Sequence, residues 1–376
     1  MSDGAAELRI LLVDDDGAVL AGLRNVLRSA RRAWEVRTAG GGPAALEAMA
    51  AEPADVVVSD MRMPGMDGVT LLGRIREGWP GTVRILLSGW ADAGSLTRAA
   101  AVAHRYLLKP CDPDTLRSEL AEVERVRALL PDPGLRAALG ALHSLPSSPA
   151  TLRALGELPP DLERRNLALS AAVETDVALA TRVLQFVSSP SFGSPRPVTG
   201  LRAAIGLVGP ALLRELASHL EPLASAAELP GALDSLERLD RHAHSAARIA
   251  RALSPDDADG DPGATAALLH DAGRLAILAR LPRAYAEVME RSTRGASLLE
   301  AERQVLGADH ARIGAYLLGL WGLPRALVDA VSRHHDEGVL DDPGLAGAVA
   351  AANLLAHQSV PRLPAGASHL PLRSTA

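Results

Sequence analysis

Apolar residues follow two different rhythms along this chain. Up to about residue 128, short unbroken apolar runs alternate with stretches in which apolar residues recur every three or four positions. The runs at 9–13, 34–38, 54–59, 82–87 and 105–108 read as buried strands. The stretches 17–30, 42–51, 68–78, 92–102 and 113–129 read as amphipathic helices. Short buried runs separated by helices predict a parallel sheet covered on both faces. Five such strands match the doubly wound, flavodoxin-like arrangement.

Leu130-Pro131-Asp132-Pro133-Gly134 breaks this alternation, because two prolines and a glycine cannot continue a helix. Residues 129–135 therefore read as a linker after a first domain at 7–128. Strand signals then nearly vanish. Helical stretches are expected at 134–143, 148–157, 161–172, 176–188, 199–206, 210–225, 235–253, 262–279, 282–291, 297–305, 309–320, 324–334 and 343–357. They predict an all-α second domain over 136–357. Residues 358–376 carry three prolines and little periodicity, and read as a disordered tail.

Composition narrows the function classes. The chain has 376 residues and is 48% hydrophobic but only 2% aromatic, so its cores must be built from Leu, Val, Ile and Ala. A net charge of -6 and the lack of a compact basic helix argue against nucleic-acid binding. The one cysteine, Cys111, fits a reducing compartment. No apolar run reaches the ~18 residues of a membrane span, and the first residues lack a basic, then apolar, leader. A cytoplasmic location is expected.

The polar residues at strand ends carry the chemistry. Asp14 and Asp15 follow the first strand, Asp60 ends the third, Ser88 the fourth and Lys109 the fifth. Strand C-terminal ends are where open α/β sheets place their sites. Asp14, Asp15 and Asp60 suit a magnesium ion, which takes oxygen ligands and keeps several waters. A carboxylate beside such an ion can take a phosphoryl group. Lys109 would pair with a phosphoryl oxygen and Ser88 would donate to one. Asp16 reads as a cap for the helix that follows.

These residues resemble the receiver family of response regulators, through Leu12-Val13-Asp14-Asp15, Ser59-Asp60-Met61-Arg62-Met63-Pro64-Gly65-Met66-Asp67-Gly68, Leu87-Ser88-Gly89 and Tyr106-Leu107-Leu108-Lys109-Pro110. The resemblance implies Asp60 as phosphoacceptor, with Asp14, Asp15 and the Arg62 backbone carbonyl as further magnesium ligands. It implies Ser88 and Tyr106 as switch residues reporting on an outer face, Lys109 as the phosphate-contacting lysine and a cis bond before Pro110. It also implies a sensor histidine kinase as donor.

The helical half carries scattered histidines and acids: His242 or His244, His270-Asp271, His310, His334-His335 and Asn353. On one helix, His270 and Asp271 would lie about 100° apart and could face one cavity. Such clusters suit zinc, iron or manganese. Leu145-Pro146-Ser147-Ser148-Pro149, Leu268-Leu269-His270-Asp271-Ala272-Gly273-Arg274, Asp309-His310 and Arg333-His334-His335 resemble the HDOD family, an output domain related to HD phosphohydrolases. His242 keeps Ala247 and Ala250 in register and is preferred to His244. The Gly-Tyr-Pro stretch of the HD-GYP phosphodiesterases is absent, Asn353 stands where an Asp is expected, and Arg274 replaces a lysine. The expectation is a non-catalytic output with at most a vestigial transition-metal site. It would engage a downstream signalling protein directly or through a homodimer. The alternative is a receiver-gated, metal-dependent phosphohydrolase acting on a cyclic dinucleotide.

Overall fold

The computed structural model describes residues 8–29, 34–89, 102–189, 192, 196–224, 229–253 and 261–359. Strands β1 (Leu8–Val13), β2 (Trp34–Ala39), β3 (Val56–Asp60), β4 (Val83–Ser88) and β5 (Arg105–Leu108) form one parallel sheet in the order β2-β1-β3-β4-β5. Helices α1 (Gly17–Ser29), α2 (Gly42–Ala51), α3 (Gly68–Gly78) and α4 (Pro113–Leu129) cover it. Alternate strand residues feed two cores, as the period of two requires. Leu11, Val13, Val57 and Leu86 pack with Ala45, Met49, Leu71 and Ile75. Ile10, Leu12, Val56, Val58, Ile85 and Leu107 pack with Leu20, Leu27, Leu116, Leu120 and Val123.

The second core does not stop at the sheet's helices. It runs on into the helical half through Val126, Leu130, Leu135 and Leu139. That half consists of α5 (Pro133–Gly140), α6 (Pro149–Gly156), α7 (Leu162–Thr175), α8 (Val177–Ser188), α9 (Leu201–Ser218), α10 (Ala232–Leu253), α11 (Pro262–Leu269), α12 (Ala272–Arg280), α13 (Pro282–Thr293), α14 (Leu298–Leu306), α15 (His310–Leu320), α16 (Arg325–Arg333) and α17 (Leu345–Ser359). Many starts are set by a capping acid or serine. Asp132, Ser148, Asp161, Asp176, Ser297 and Asp309 each accept a backbone N–H from the first turn.

Several elements differ from their sequence-based expectation. The single helix expected at 262–279 is two, α11 and α12, and His270 and Asp271 form the turn between them. The 100° helical spacing proposed for this pair therefore does not apply. The two helices expected at 199–206 and 210–225 meet inside α9 at Gly209 (φ 70°, ψ 166°), before Pro210, and the second ends at Ser218 rather than 225. Within the expected linker, Pro133 already opens α5, so only three residues separate α4 from α5. The helix expected at 92–102 falls almost wholly outside the described residues. So does the tail after Ser359, and α17 runs through Gln358.

The two halves are pinned by a buried cation. Arg84 of β4 is fully buried. Its Nε donates to Val102 O (2.6 Å), Nη1 to Thr82 O (3.1 Å) and Nη2 to Gly140 O at the end of α5 (3.0 Å). His104 Nδ1 accepts from the Arg84 N–H (3.1 Å). Burial lowers the Arg84 pKa to about 9, so the guanidinium stays charged near neutral pH.

Helix crossings in the helical half depend on glycine. A Cβ at Gly273 would lie 2.0 Å from His310 O. Gly273→Ala should therefore destabilise the fold by about 1–3 kcal/mol or more. Gly22, in the middle of α1 with nothing within 4 Å, is the control. Gly22→Ala should stabilise by about 0.5–1 kcal/mol. Denaturant midpoints of the two variants check both signs.

Candidate functional sites

The first site lies at the C-terminal edge of the sheet. Asp14 follows β1, Asp60 ends β3 and Lys109 follows β5. In the order β2-β1-β3-β4-β5 the first two are neighbours, and Lys109 reaches across from the edge strand. Its Nζ lies 2.7 Å from Asp14 Oδ2 and 2.9 Å from Asp60 Oδ1. Burial alone would lower the pKa of this ammonium. Hydrogen bonds and charge from Asp14 and Asp60 outweigh that and hold it above the ordinary value. Asp14 and Asp60 are buried and Asp15 is exposed, yet each offers an oxygen within 4.8 Å of the others. The remaining Asp14 oxygen accepts from Asp16 N–H (2.9 Å), and Asp16 caps α1 through Ala18 N–H (2.7 Å).

The loop after Asp60 is held against the sheet. Met61 N–H donates to Leu87 O (2.9 Å) and Gly68 N–H to Met61 O (2.9 Å). A Cβ at Gly68 would sit 2.1 Å from Asp60 O, so only glycine lets α3 start this close to the Asp60 backbone. Arg62 lies in this loop, two residues beyond Asp60. The Lys109–Pro110 bond is cis, as the resemblance implied. Ser88 Oγ donates to Gly89 O (2.5 Å). Tyr106 Oη donates to Ala103 O (3.2 Å), and its ring is buried. Tyr106 therefore does not lie on an outer face. The helical half covers β5, and Gln185 Nε2 of α8 donates to His104 O (3.4 Å).

The second site collects the histidines of the helical half. His242 comes from the middle of α10, His270 and Asp271 from the turn after α11, and His310 from the first position of α15. His334 and His335 follow α16, and Asn353 lies on α17. The rings of His242 and His270 are 5.2 Å apart, of His270 and His334 5.1 Å, and of His310 and His335 5.0 Å. Every residue of the expected set is thus brought together. His242 rather than His244 belongs to it. The His244 pKa is lowered by burial and by Arg248 and Arg251, and its ring joins none of these contacts.

Hydrogen bonds fix what each ring offers. His270 Nδ1–H donates to Ala267 O and His334 Nδ1–H to Val331 O, both at 2.7 Å. Their Nε2 lone pairs point into the protein with no partner. Burial lowers the His270 pKa to about 4 and the His334 pKa to about 3, so both rings are neutral at pH 7. His310 Nδ1–H donates to Glu302 Oε2 (2.7 Å), leaving its Nε2 3.3 Å from Asp271 Oδ1 and 3.1 Å from His335 Nε2. Burial would raise the Asp271 pKa, but His270, Arg274, His310 and His242 outweigh it and hold the carboxyl ionised. The free Nε2 atoms of His270 and His334 gather with His310 Nε2 and an Asp271 oxygen, a donor set that fits a Lewis-acidic cation. His242 differs, because its Nε2–H donates to Asn353 Oδ1 (2.9 Å).

Two members were not read from the sequence. Glu302 is 2% exposed and also accepts the His310 backbone N–H (2.9 Å). A ligand histidine commonly donates its other N–H to a carboxylate in this way. Its signal was present: Glu302 falls on the same helical stripe as Leu298 and Leu306, where a charge is out of place. His357, one turn beyond Asn353, stacks on His242 at 4.3 Å. Beside the cluster opens a cavity of about 540 Å³, lined by His334, His335, Asn353, His357, Leu340 and Leu354, with Asp336 and Asp341 at its wall and no Lys or Arg among the described residues. Among the described residues, no helix is long and apolar enough to cross a membrane.

Comparison with known proteins agrees with both halves. The receiver-domain family matches residues 10–121 and the HDOD family residues 145–337, the latter more than half of the chain. The hydrogenase transcriptional regulatory protein HoxA of Cupriavidus necator is 35% identical over 147 residues, covering 39% of this chain and 28% of that one. The transcriptional regulatory protein KdpE of Mycobacterium tuberculosis is 35% identical over 117 residues, covering 31% of this chain and 50% of that one. The chain thus spans half or less of these curated relatives. Among solved structures, the MmoQ response regulator of Methylococcus capsulatus is 25% identical with a TM-score of 0.48, over 59% of this chain and 90% of that one. The chain belongs to the HDOD family, as a two-component response regulator in which a receiver domain is fused to an HDOD domain.

Proposed function

We propose that this chain is a phosphorylation-dependent switch, with a receiver at 7–128 acting through a short linker at 129–135 on a non-catalytic HDOD output at 136–357, in the cytoplasm. The observation that carries the reading is Lys109, whose ammonium bridges Asp14 and Asp60 inside a cluster of three carboxylates. Asp14, Asp15, Asp60 and the Arg62 carbonyl would hold magnesium, which supplies positive charge to offset that of phosphoryl oxygens. An Asp60 oxygen forms the new O–P bond. The P–N bond to the donor histidine of a sensor kinase breaks, and the donor imidazole takes up a proton. Lys109 then pairs with a phosphoryl oxygen, and Ser88 turns its hydroxyl from Gly89 O to another. The output engages a downstream signalling protein, directly or through a changed dimer.

A second reading, a metal-dependent phosphohydrolase, draws support from the unpartnered Nε2 atoms of His270 and His334. Three observations oppose turnover of a cyclic dinucleotide. Asn353 is engaged by His242. Arg274 Nη1 is committed to Asp271 Oδ2 (3.1 Å). Among the described residues, the adjoining cavity offers a dianionic ligand two aspartates and no Lys or Arg. A residual transition-metal site without hydrolysis is the better fit.

Asp60→Asn should abolish labelling by radioactive acetyl phosphate, while Asp16→Asn should retain it; label on Asp60→Asn would remove the phosphoacceptor assignment. Purified protein should carry transition metal by elemental analysis yet release no linear product from a cyclic dinucleotide, and clear turnover would reverse that preference. Stability of the chelator-treated chain should depend on pH in a defined direction. His270 and His334 are depressed on folding, so the unfolded chain binds more protons below their ordinary value of 6.5. Their contribution is complete above that pH and is lost as pH falls toward about 4 and about 3. Between neutral pH and pH ~5 the loss should be on the order of 2–4 kcal/mol for the two together. A flat profile of unfolding midpoints would contradict buried neutral imidazoles.

A further inference from the structure

The helix that presents His310 to the histidine cluster is held at its far end by the receiver. The last carbonyls of any helix have no partner within it. Arg105, the first residue of β5 and 5% exposed, meets this need for α15. Its Nη2 donates to Gly319 O and its Nε to Leu320 O (3.3 Å). Its Nη1 donates to Glu119 Oε2 on α4 (2.5 Å). A guanidinium at this end also faces the negative pole of the helix dipole. A strand of the receiver thus supplies the C-terminal cap of an output helix.

Three holds make α15 a lever. At its N-terminus, both the backbone and the Nδ1 hydrogen of His310 go to Glu302. Within its first turn, from His310 to Gly314, the helix crosses Gly273 backbone to backbone, since a Cβ at Gly273 would lie 2.0 Å from His310 O and one at Gly314 2.9 Å from Gly273 N. At the C-terminus, Gly319 abuts Val126 of α4, where a Cβ would lie 2.6 Å from Cγ2. Backbone atoms make the closest approach at the glycine crossing, with Val331 Cγ1 next at 3.4 Å from a Cβ at Gly314. Movement of the Arg105 end would tilt the rod about that crossing. Eleven residues span about 16 Å. Directly after the other end of β5 comes Lys109, which contacts Asp60 and whose N–H donates to Ser88 O (2.7 Å). One strand, about 13 Å long, joins the charge on Asp60 to the cap of α15.

We propose that phosphorylation at Asp60 is coupled through β5, Arg105 and α15 to the histidine cluster, so that the receiver sets where His310 stands and how tightly the cluster holds a divalent transition metal. This rests on the reading of Asp60 as phosphoacceptor and of the cluster as a metal site. Arg105 is a positioning residue, in contact with neither site. Linkage makes the effect reciprocal: metal at the cluster shifts phosphorylation by the same factor.

The test measures the cobalt(II) dissociation constant of the full chain by visible absorption, in excess magnesium, with and without beryllofluoride as phosphoryl mimic. The wild type should shift by about tenfold, within the usual range of such couplings. Arg105→Gln should remove most of that shift, and Arg105→Lys, which keeps the charge but loses the fork, should reduce it and decides the matter if Arg105→Gln fails to fold. Amide hydrogen exchange over 310–320 should change on beryllofluoride addition in the wild type and not in Arg105→Gln. Unchanged cobalt affinity and unchanged exchange in a wild-type chain that binds beryllofluoride would overturn the coupling, as would an undiminished shift in the variants. Failure of the underlying readings looks different. Beryllofluoride that does not bind removes the phosphoacceptor, and cobalt that does not bind removes the metal site. In either case faster exchange at the last turn of α15 in Arg105→Gln supports the clamp, and unchanged exchange overturns it.

Discussion

Two guanidinium groups that leave the sheet and end on helix carbonyls join the halves of this molecule. Arg84 reaches Gly140 at the end of α5, and Arg105 reaches Gly319 and Leu320 at the end of α15. Burying a guanidinium is unfavourable unless its hydrogens find acceptors. The orphan carbonyls of a helix end supply them. Each group thus solves the other's problem, and neither half satisfies its polar atoms alone. The apolar consequence is a single core that runs from β1 through α4 into the helical half.

The two sites use opposite electrostatics. At the sheet edge, three carboxylates gather around one ammonium, so charge is already partly offset by Lys109. In the helical half, burial keeps the imidazoles neutral and leaves lone pairs facing a carboxylate. The first arrangement offers hard oxygen donors, with Asp15 exposed. The second is mostly buried, with His335 exposed at its edge, and Glu302 fixes the His310 ring from behind. The proposed phosphoryl group would add charge at the first site, where Lys109 and the short strand behind it lead into the fold.

Legibility in the sequence followed locality. Strand ends are marked by where an apolar run stops, and a parallel sheet brings all C-terminal ends to one edge. Asp14, Asp60, Ser88 and Lys109 could therefore be assigned together from five short runs. Helix starts were legible for the same reason, because a cap lies within three residues of the N–H it accepts. His270-Asp271 was misplaced on a continuous helix, since the apolar pattern of Ala266–Leu269 and Leu275–Leu278 continues across the turn. The turn owes its place to the close approach of Gly273 to α15, a contact between segments far apart in sequence.

Tyr106, read as reporting on an outer face, shows the same limit: it is buried, and Gln185 of α8, from 81 residues away, bonds His104 just before β5. Glu302, His357, Arg84 and Arg105 escaped notice because each acts on a partner that chain order does not indicate. By itself, then, the sequence determined the order of strands and helices, the strand-end carboxylates with their lysine, and the residue types of the histidine cluster, because apolar periodicity and short-range caps are local quantities. Only the tertiary structure decided which histidine nitrogens are free, which carboxylate stands behind His310, and that one strand of the receiver caps the helix bearing that histidine. Those outcomes depend on burial and on polar partners, and both are set by how distant segments pack.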